Sequence, residues 1–374
     1  MKKPDISELV KYFESGCKEE KLLGLELEHF VIDKKTGHSI PYSNSPGRAG
    51  GIEQLLTQLQ PLYGEPILSD SGRIIGITGE ESAITLEPAA QLEISIAPKS
   101  DIAEISAVYE KFIGIISPVL TELGWELKCT GYHPLSKIDE MPLIPKSRYE
   151  HMYSHFAKVG TRGKYMMKGS AATQINIDYT SELDFIKKFR VANILGPIFA
   201  FVCDNSSTFE GKPYDKHMVR TYIWDDVDRM RSGIPPGALD CEYGFLDYAK
   251  YIHDMPEIYT PDDEDSLTDE DMIEHVLSMV FPDVRLKTRL ELRMADSMPI
   301  GSALDFVKLV SDIFYNEDRL DVLYDKTLGI GNQDVEEAKT ALIENGENAV
   351  IYGGPVHNWL SEISCELYVK GIEL

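Results

Sequence analysis

Four short stretches of the chain alternate strictly between apolar and polar residues. They lie at residues 25–28, 91–96, 173–178 and 289–294. Successive side chains of a β-strand point to opposite faces, so this period of two predicts four strands, each with one apolar and one polar face. Further strands are predicted at 74–78, 83–86 and 125–129, where short apolar runs lie next to turn residues.

Between these strands, apolar residues recur every three or four positions, which is typical of amphipathic helices. The pattern predicts helices at 5–16, 51–62, from a cap at Ser100 or Asp101 to 123, 149–159, 183–203, from a cap at Ser266 or Thr268 to 280, and mostly helix after 302. Residues 214–237 are charged and are predicted to be irregular. Because strands and helices do not follow strict βαβ order, we expect an α+β fold with a mostly antiparallel sheet. The polar-faced strands span the chain, which favours a single domain over residues 1–374.

The polar faces of the four alternating strands carry carboxylates, amides and arginines. Their members are Glu26, Glu28, Gln91, Glu93, Ser95, Gln174, Asn176, Asp178, Arg289, Glu291 and Arg293. Carboxylates suit Mg²⁺ or Mn²⁺, and arginines suit phosphate and carboxylate groups. One such strand would fit an ordinary sheet with its polar face in water. Four of them favour a magnesium–nucleotide site with an acidic substrate.

Other motifs are less decisive. Residues 220–231 combine three arginines, three aspartates and two aromatic residues, which fits either a salt-bridged surface loop or a substrate loop with an arginine clamp. Residues 160–164 lack the spacing of a Walker motif, and residues 329–331 lack the third glycine of a dinucleotide fingerprint. His151 and His155 have helical spacing but no third partner, so we expect surface or packing roles. His29 should point away from Glu26 and Glu28.

The charge and the cysteines limit the partners and the compartment. The chain of 374 residues has a formal net charge of −25, which argues against nonspecific binding to nucleic acid or to an anionic membrane. Its five cysteines show no CxxC spacing, so neither a zinc site nor a disulfide framework is indicated. No apolar run reaches the roughly 20 residues of a membrane span. We therefore expect a cytoplasmic protein whose partners are small molecules.

Several motifs, taken in order, resemble those of the glutamate–cysteine ligases, particularly the plant and proteobacterial type. They lie at residues 24–28, 86–95, 165–167 with 173–178, 220–224 and 290–293. The resemblance implies a glutamine-synthetase-like catalytic domain, with a curved sheet and helices packed on one face. It also implies ATP, Mg²⁺, L-glutamate and an amine acceptor. In this family ATP phosphorylates the γ-carboxylate of glutamate, and the amine of L-cysteine attacks the acyl phosphate, which is the first step of glutathione biosynthesis.

The resemblance also implies roles for individual residues. Glu26, Glu28, Glu93 and Glu291 match metal-binding carboxylates, and Arg293 matches a catalytic arginine that faces phosphate. Arg220, with Trp224 beside it, matches a catalytic arginine that holds a substrate carboxylate. Arg148 and Gln174 are expected to contact substrate, and Gln91 the nucleotide.

Two points stay open at the level of sequence. The family usually has glycines where this chain has Ala89 and Ala90, which raises a question about the local backbone. Nothing in the sequence fixes the pocket for the acceptor, so the same chemistry with another amine remains an alternative. A noncatalytic metal- or nucleotide-binding protein on this scaffold is the other.

Overall fold

The computed structural model describes residues 3–44, 50–261 and 267–363. Its helices are α1 (Ile6–Glu14), α2 (Ile52–Tyr63), α3 (Ile102–Leu123), α4 (Ser147–Val159), α5 (Gly163–Gly169), α6 (Glu182–Val202), α7 (Val219–Trp224), α8 (Phe245–Asp254), α9 (Asp269–Leu277), α10 (Ile300–Phe314), α11 (Glu317–Thr327), α12 (Asn332–Asn345) and α13 (Val356–Glu362). Its strands are β1 (Leu23–Asp33), β2 (Glu65–Leu68), β3 (Ile74–Thr78), β4 (Ser82–Leu86), β5 (Leu92–Lys99), β6 (Trp125–Lys128), β7 (Ala172–Ile177), β8 (Thr208–Phe209), β9 (Lys212–Pro213), β10 (Ser232–Gly233), β11 (Phe281–Pro282), β12 (Val284–Leu286), β13 (Leu290–Asp296), β14 (Val350–Ile351) and β15 (Gly354–Pro355).

Nine strands form one antiparallel sheet at the centre of the fold. Their order is β12-β13-β7-β1-β5-β4-β3-β2, and β6 pairs with the second half of β1. The four alternating stretches of the sequence form the neighbouring strands β13, β7, β1 and β5. Register shifts in β1 and β13 mark bulges, which bend the strands. The predicted α+β fold with a mostly antiparallel sheet is confirmed.

The apolar face of these central strands lies against helices. Leu25, Leu27, Ile94, Ile175 and Leu292 are completely buried, and α3, α6 and α10 pack on the strands that carry them. Each such side chain contributes about 1.5–3 kcal/mol to folding by leaving water. Because a one-residue slip would expose this whole face, the apolar pattern also fixes which side chains point the other way.

Local details differ from the sequence-based expectations, and helices α5 and α8 were not predicted. The segment 214–237 contains the short helix α7, whose Val219 and Ile223 are buried while the charged residues around it hide the pattern. Helix α9 begins after Thr268, whose side chain accepts from the amide of Asp271, and it ends at Leu277 rather than at 280. The alternative cap, Ser266, lies outside the described residues. Among the helices that the structure describes, none combines the length and apolar character needed to cross a membrane.

Gly16, after α1, provides a test of the packing beside the sheet. A methyl group there would lie 2.7 Å from the backbone Cα of Thr288 and 2.3 Å from the hydroxyl of Tyr179. We expect Gly16→Ala to lower the free energy of unfolding by about 1–3 kcal/mol, because a backbone neighbour cannot move aside.

The matched control is Gly114→Ala in α3, where a methyl group meets nothing within 4 Å. It should raise the free energy of unfolding by about 0.5–1 kcal/mol, because alanine is the better helix former. Denaturant unfolding measures both variants. Equal stability of the two would contradict the close approach at Gly16.

Candidate active site

Three carboxylates meet on the polar face of the sheet. Glu28 of β1 lies directly opposite Glu93 of β5, and Glu87 comes from the turn that precedes β5. One oxygen atom of each lies within 4.8 Å of the corresponding atoms of the other two. Three acceptors at this spacing can coordinate a single cation.

Burial and mutual repulsion act on all three groups. Burial raises the pKa of Glu28 well above its ordinary value, and Glu87 and Glu93 raise it further. Burial also raises the pKa of Glu93 and of Glu87. The pKa of Glu26, on the same face, rises to about 7 through burial and the charges of Glu291 and Glu93. None of the described lysines or arginines forms an ion pair with Glu28, Glu87 or Glu93, and the charges of Lys146, Arg293 and Arg148 only partly offset the effect of burial on the pKa of Glu87.

Neutral groups orient these carboxylates. Glu28 accepts hydrogen bonds from the amide of Ala172 at 2.7 Å and from Nε2 of Gln174 at 3.2 Å. Glu93 accepts from the hydroxyls of Thr85 and Ser95 at 2.9 and 2.8 Å. These contacts fix the side chains without supplying a cation. The donor set is all hard oxygen, which fits Mg²⁺ or Mn²⁺.

Glu291 has different surroundings from the other carboxylates. It is completely buried and forms ion pairs with Arg285 at 2.8 Å, with Lys287 at 3.6 Å and with Arg293. Burial by itself would raise the pKa of Glu291, but Arg285, Arg293 and Lys287 hold that pKa well below its usual range. The structure thus places Glu291 in an ion-pair cluster rather than among the three gathered carboxylates. Its assignment as a metal ligand stays a prediction.

Arg293 and Gln174 connect this ion-pair cluster to the carboxylates. Nη1 of Arg293 donates to Glu291 and to Oε1 of Gln174. Nε2 of Gln174 in turn donates to Glu28. The guanidinium of Arg293 is thereby held beside the three gathered carboxylates, in a position to bind an anionic group.

The side chain of Arg220, which was predicted to hold a substrate carboxylate, forms hydrogen bonds with the backbone. Its terminal nitrogens donate to the carbonyls of Arg293, Met294 and Ala295 at 3.1–3.2 Å, where the pairing of β13 shifts register. Nε of the Arg220 guanidinium has no hydrogen-bond partner among the described residues. Nε1 of the nearby Trp224 has none either. Arg220 therefore holds β13 in place, and Nε remains available for a ligand.

The side chain of Gln91 also forms hydrogen bonds with the backbone. Its side-chain oxygen accepts from the amide of Ala89 at 2.9 Å, and its nitrogen donates to the carbonyls of Met167 and Ser170 at 3.2 and 2.9 Å. Both amide hydrogens are thus occupied by backbone carbonyls, and the predicted nucleotide contact of Gln91 stays a prediction. Gln91 instead fastens the turn that presents Glu87. Ala90 in this turn has φ of 67°, the left-handed conformation that glycine adopts more readily than alanine.

One cavity of about 250 Å³ collects nearly all of the predicted residues. Its lining includes Glu26, Glu28, Gln91, Glu93, Arg148, Gln174, Arg220, Trp224 and Arg293. Glu291 is the predicted site residue that is missing from this lining. Arg148 donates through Nη2 to the carbonyl of Ser278 at 2.7 Å, and its Nε lacks a partner in the described part of the chain.

The cavity also contains two charged residues that were not predicted, Glu87 and Arg285. Pro88 interrupts the alternation just after Glu87, so the period of two does not reach it. A carboxylate before a turn that opens onto an acidic strand was the available signal for Glu87. The partner of Arg285 is set by the pairing of β12 with β13, where Arg285 faces Glu291.

The histidines lie outside this arrangement, as expected. His29 is completely buried on the apolar side, 3.0 Å from the hydroxyl of Tyr109 and 3.3 Å from the carbonyl of Leu92. His155 pairs with Asp228 at 2.8 Å. The ring of His151 packs 5.0 Å from that of Tyr259.

Comparison with known families decides the relationship of the chain. The profile of glutamate–cysteine ligase family 2 (GCS2) matches residues 22–348. The chain belongs to this family. Family membership agrees with the resemblance found in the sequence and covers the four central strands, the turn with Glu87 and helix α7.

The relatives compared with this glutamate–cysteine ligase family member are plant enzymes, and a bacterial enzyme shares its fold. Glutamate–cysteine ligase A, chloroplastic, from Oryza sativa subsp. japonica is 29% identical over 390 residues, covering 98% of this chain and 78% of the relative. The chloroplastic enzyme of Nicotiana tabacum is 31% identical over 347 residues, covering 86% of this chain and 65% of the relative. The crystal structure of the Francisella tularensis glutamate–cysteine ligase in complex with AMP has a TM-score of 0.51 and 12% identity, covering 94% of this chain and 78% of that one. At that identity the likeness concerns the fold.

The comparisons correct one expectation. The predicted cytoplasmic location is wrong by this measure, because the plant relatives are named as chloroplastic proteins. The prediction rested on reduced cysteines and on the absence of a long apolar segment. Cysteine spacing reports on the redox state of a compartment, and more than one compartment keeps thiols reduced.

Proposed function

We infer that this protein is an ATP-dependent glutamate–cysteine ligase. It joins the γ-carboxylate of L-glutamate to the amino group of L-cysteine through a γ-glutamyl phosphate, the first step of glutathione biosynthesis. The observation that carries this function is the meeting of Glu28, Glu87 and Glu93 beside Arg293 in one cavity of a GCS2 chain. We further propose that residues 1–374 form a single catalytic domain.

The carboxylates are suited to a divalent cation. Glu28, Glu87 and Glu93 are partly or fully buried, have raised pKa values, and have no lysine or arginine of the described residues in an ion pair with them. We propose that they hold Mg²⁺ or Mn²⁺, with Glu26 close by as a further ligand. When bound, the ion neutralises phosphate charge and so eases transfer of the γ-phosphoryl group.

The arginines supply fixed positive charge for the anionic substrates. Arg293, held by Glu291 and Gln174, presents its guanidinium to the cavity and is suited to bind a phosphoryl oxygen while charge develops there. Nε of Arg220, Nε1 of Trp224 and Nε of Arg148 are donors without partners in the described part of the chain. We propose that they bind the carboxylates of glutamate.

Apolar side chains complete the lining. Met152, Met166 and Phe281 border the same cavity as the carboxylates. Their presence reduces the room for water around the reacting groups. An acyl phosphate formed there is then protected from hydrolysis until the amine attacks.

The ligase function is tested by measuring ADP release with Mg-ATP and L-glutamate across a panel of amines, with mass spectrometry of the product. We expect release that depends on both glutamate and an amine, and γ-glutamylcysteine when the amine is cysteine. Absence of ADP above background with every amine would contradict the ligase function. Faster turnover with another amine would replace cysteine as the acceptor.

A further inference from the structure

Two carboxylates, Asp204 and Asp296, are buried next to Arg220 but do not line the candidate active site. Asp204 lies two residues after α6, and Asp296 is the last residue of β13. Ser206 connects them, because its amide donates to Oδ1 of Asp204 at 3.2 Å and its hydroxyl donates to Oδ2 of Asp296 at 2.7 Å. The amide of Asn205 donates to the same Oδ2 at 2.9 Å. One turn therefore binds both carboxylates.

Asp296 is held close to the guanidinium of Arg220. The carbonyl of the preceding residue, Ala295, accepts from Nη1 of Arg220 at 3.1 Å. A methyl group on Gly131 would lie 2.0 Å from Cγ of Asp296, so the carboxylate packs directly against this backbone. The carboxylate is thus fixed beside an arginine whose Nε has no partner among the described residues.

The charges around the two carboxylates do not neutralise them. No lysine or arginine of the described residues forms an ion pair with Asp296, and Asp204 lies 3.9 Å from the half-exposed ring of His217. Residue 131 and residues 172–173, which also contact Asp296, have no titratable side chain. The other charged groups near Arg220 are Glu28, Arg293 and Asp283.

The pair titrates close to neutral pH. Burial, followed by the charge of Asp204, raises the pKa of Asp296 to about 6, although the charge of Arg220 opposes this shift. Two carboxylates that share one turn in a site without water repel each other when both are ionised. The pair therefore has one negative charge below about pH 6 and two negative charges above it.

We propose that Asp204 and Asp296 share one proton next to Arg220, and that loss of this proton weakens the binding of glutamate by Arg220. The inference rests on the proposed ligase function, in which Nε of Arg220 binds a carboxylate of glutamate. A second negative charge beside the guanidinium offsets its attraction for the substrate carboxylate. The inference adds a pH-sensitive group outside the cavity that contains the three gathered carboxylates.

Binding of glutamate and binding of the proton should favour each other, because linkage between two sites is reciprocal. Calorimetric titration near pH 6, in buffers that differ in ionisation enthalpy, measures the protons taken up when glutamate binds. We expect the unmodified protein to take up more protons than variants in which only one of the two carboxylates remains.

Hydroxylamine allows the KM for glutamate to be measured without a second amino acid. Its nitrogen attacks the acyl carbon, the bond to the phosphate oxygen breaks, phosphate leaves and a proton passes to the buffer, which gives γ-glutamyl hydroxamate. Because hydroxylamine has no carboxylate, it does not compete with glutamate for an arginine. The KM for glutamate in hydroxamate formation therefore reports how glutamate alone is bound.

Asp204→Asn and Asp296→Asn each leave one carboxylate with a single negative charge. At pH 5 we expect the KM for glutamate of both variants to lie within about 1.5-fold of that of the unmodified protein. At pH 8 it should be lower in both variants by about fivefold or more, while the KM for ATP stays within about twofold. The other titrating groups are the same in all three proteins, so the ratio of KM values isolates the pair.

Asp226→Asn is the matched control. It removes a charge two residues after α7, the helix that contains Arg220, and Asp226 does not line the candidate active site. A hydrogen bond from Thr161 holds the pKa of Asp226 below its ordinary value, so this group is ionised at both pH values. The ratio of its KM for glutamate to that of the unmodified protein should be equal at pH 5 and pH 8.

A KM ratio that is equal at the two pH values in Asp204→Asn and Asp296→Asn would overturn the inference, since a purely structural role has no such pH dependence. A higher KM at pH 8 in both variants would also overturn it. Each variant tests the shared proton by itself, so the test survives if one of them does not fold. If the unmodified protein neither formed hydroxamate nor bound glutamate, the ligase function would fail, and the inference with it.

Discussion

Replacing Glu93 with glutamine should lower ligase turnover by about a hundredfold or more while leaving the fold intact. Glu93 is one of the three gathered carboxylates, and its amide replacement cannot supply the same charge to a cation. Its remaining contacts are hydrogen bonds from the hydroxyls of Thr85 and Ser95, which the amide oxygen of glutamine can also accept. The measurement is steady-state ADP release together with hydroxamate formation, since both need phosphoryl transfer.

The same variant should not lose stability in the presence of a chelator. Burial, with the charge of Glu87, raises the pKa of Glu93 in the folded protein. A group whose folded pKa is raised opposes folding once the pH exceeds that pKa, and the opposition vanishes below its unfolded pKa. Glu93→Gln should therefore unfold at an equal or higher denaturant concentration than the unmodified protein at pH 8, and the difference should shrink toward pH 4.

Glu126→Gln in β6 is the matched control, because Glu126 is an exposed glutamate on a strand of the same sheet. It should leave turnover and unfolding unchanged. Full activity of Glu93→Gln, with metal affinity unaltered in calorimetric titration, would refute the assignment of Glu93 as a ligand.

Replacing Glu291 with glutamine should have the opposite pattern and lower the free energy of unfolding by about 3–5 kcal/mol. Glu291 is completely buried between Arg285, Lys287 and Arg293. Without its charge the three cations face one another in a site that excludes water. Denaturant unfolding in the presence of a chelator measures the loss without interference from metal binding.

The pH dependence of this loss follows from the direction of the shift. The cations hold the pKa of Glu291 well below the ordinary 4.5 of a glutamate, against the effect of burial. Its stabilising contribution is therefore complete above the unfolded pKa and disappears as the pH falls through the folded pKa. The difference between the variant and the unmodified protein should be largest at neutral pH and should narrow below about pH 4.

Glu53→Gln serves as the control for Glu291→Gln, because Glu53 also pairs with an arginine, Arg73, but both side chains are about one-third exposed. An exposed pair contributes about 0–1 kcal/mol, so this variant should change little. Stability of Glu291→Gln within 0.5 kcal/mol of the unmodified protein would contradict the ion-pair cluster. It would favour the original prediction that Glu291 binds a metal.

The contrast between Glu93 and Glu291 shows which properties of a site residue can be predicted from the sequence and which cannot. Both lie at polar positions of alternating strands, and both match metal carboxylates in the family motifs. Their surroundings differ because β13 lies beside β12, whose Arg285 faces Glu291, whereas β5 lies beside β4, whose Thr85 faces Glu93. Strand pairing is a long-range choice, and no local pattern reports it.

The sequence by itself determined the elements and the faces of the sheet. The period of two in four stretches predicted β1, β5, β7 and β13, and it predicted that Glu26, Glu28, Glu93, Gln174 and Arg293 share a polar face. This succeeds because side-chain alternation is a local property of an extended backbone and burial of the opposite face fixes it.

Only the tertiary structure decided the partner of each polar group. It brought Glu87 to Glu28 and Glu93 through a turn, and it bound Gln91 and Arg220 to backbone carbonyls. These outcomes depend on which distant segments meet and on whether a buried donor finds a carbonyl or remains free for a ligand. Residue type states what a side chain can bind, and its neighbours in the folded chain determine what it does bind.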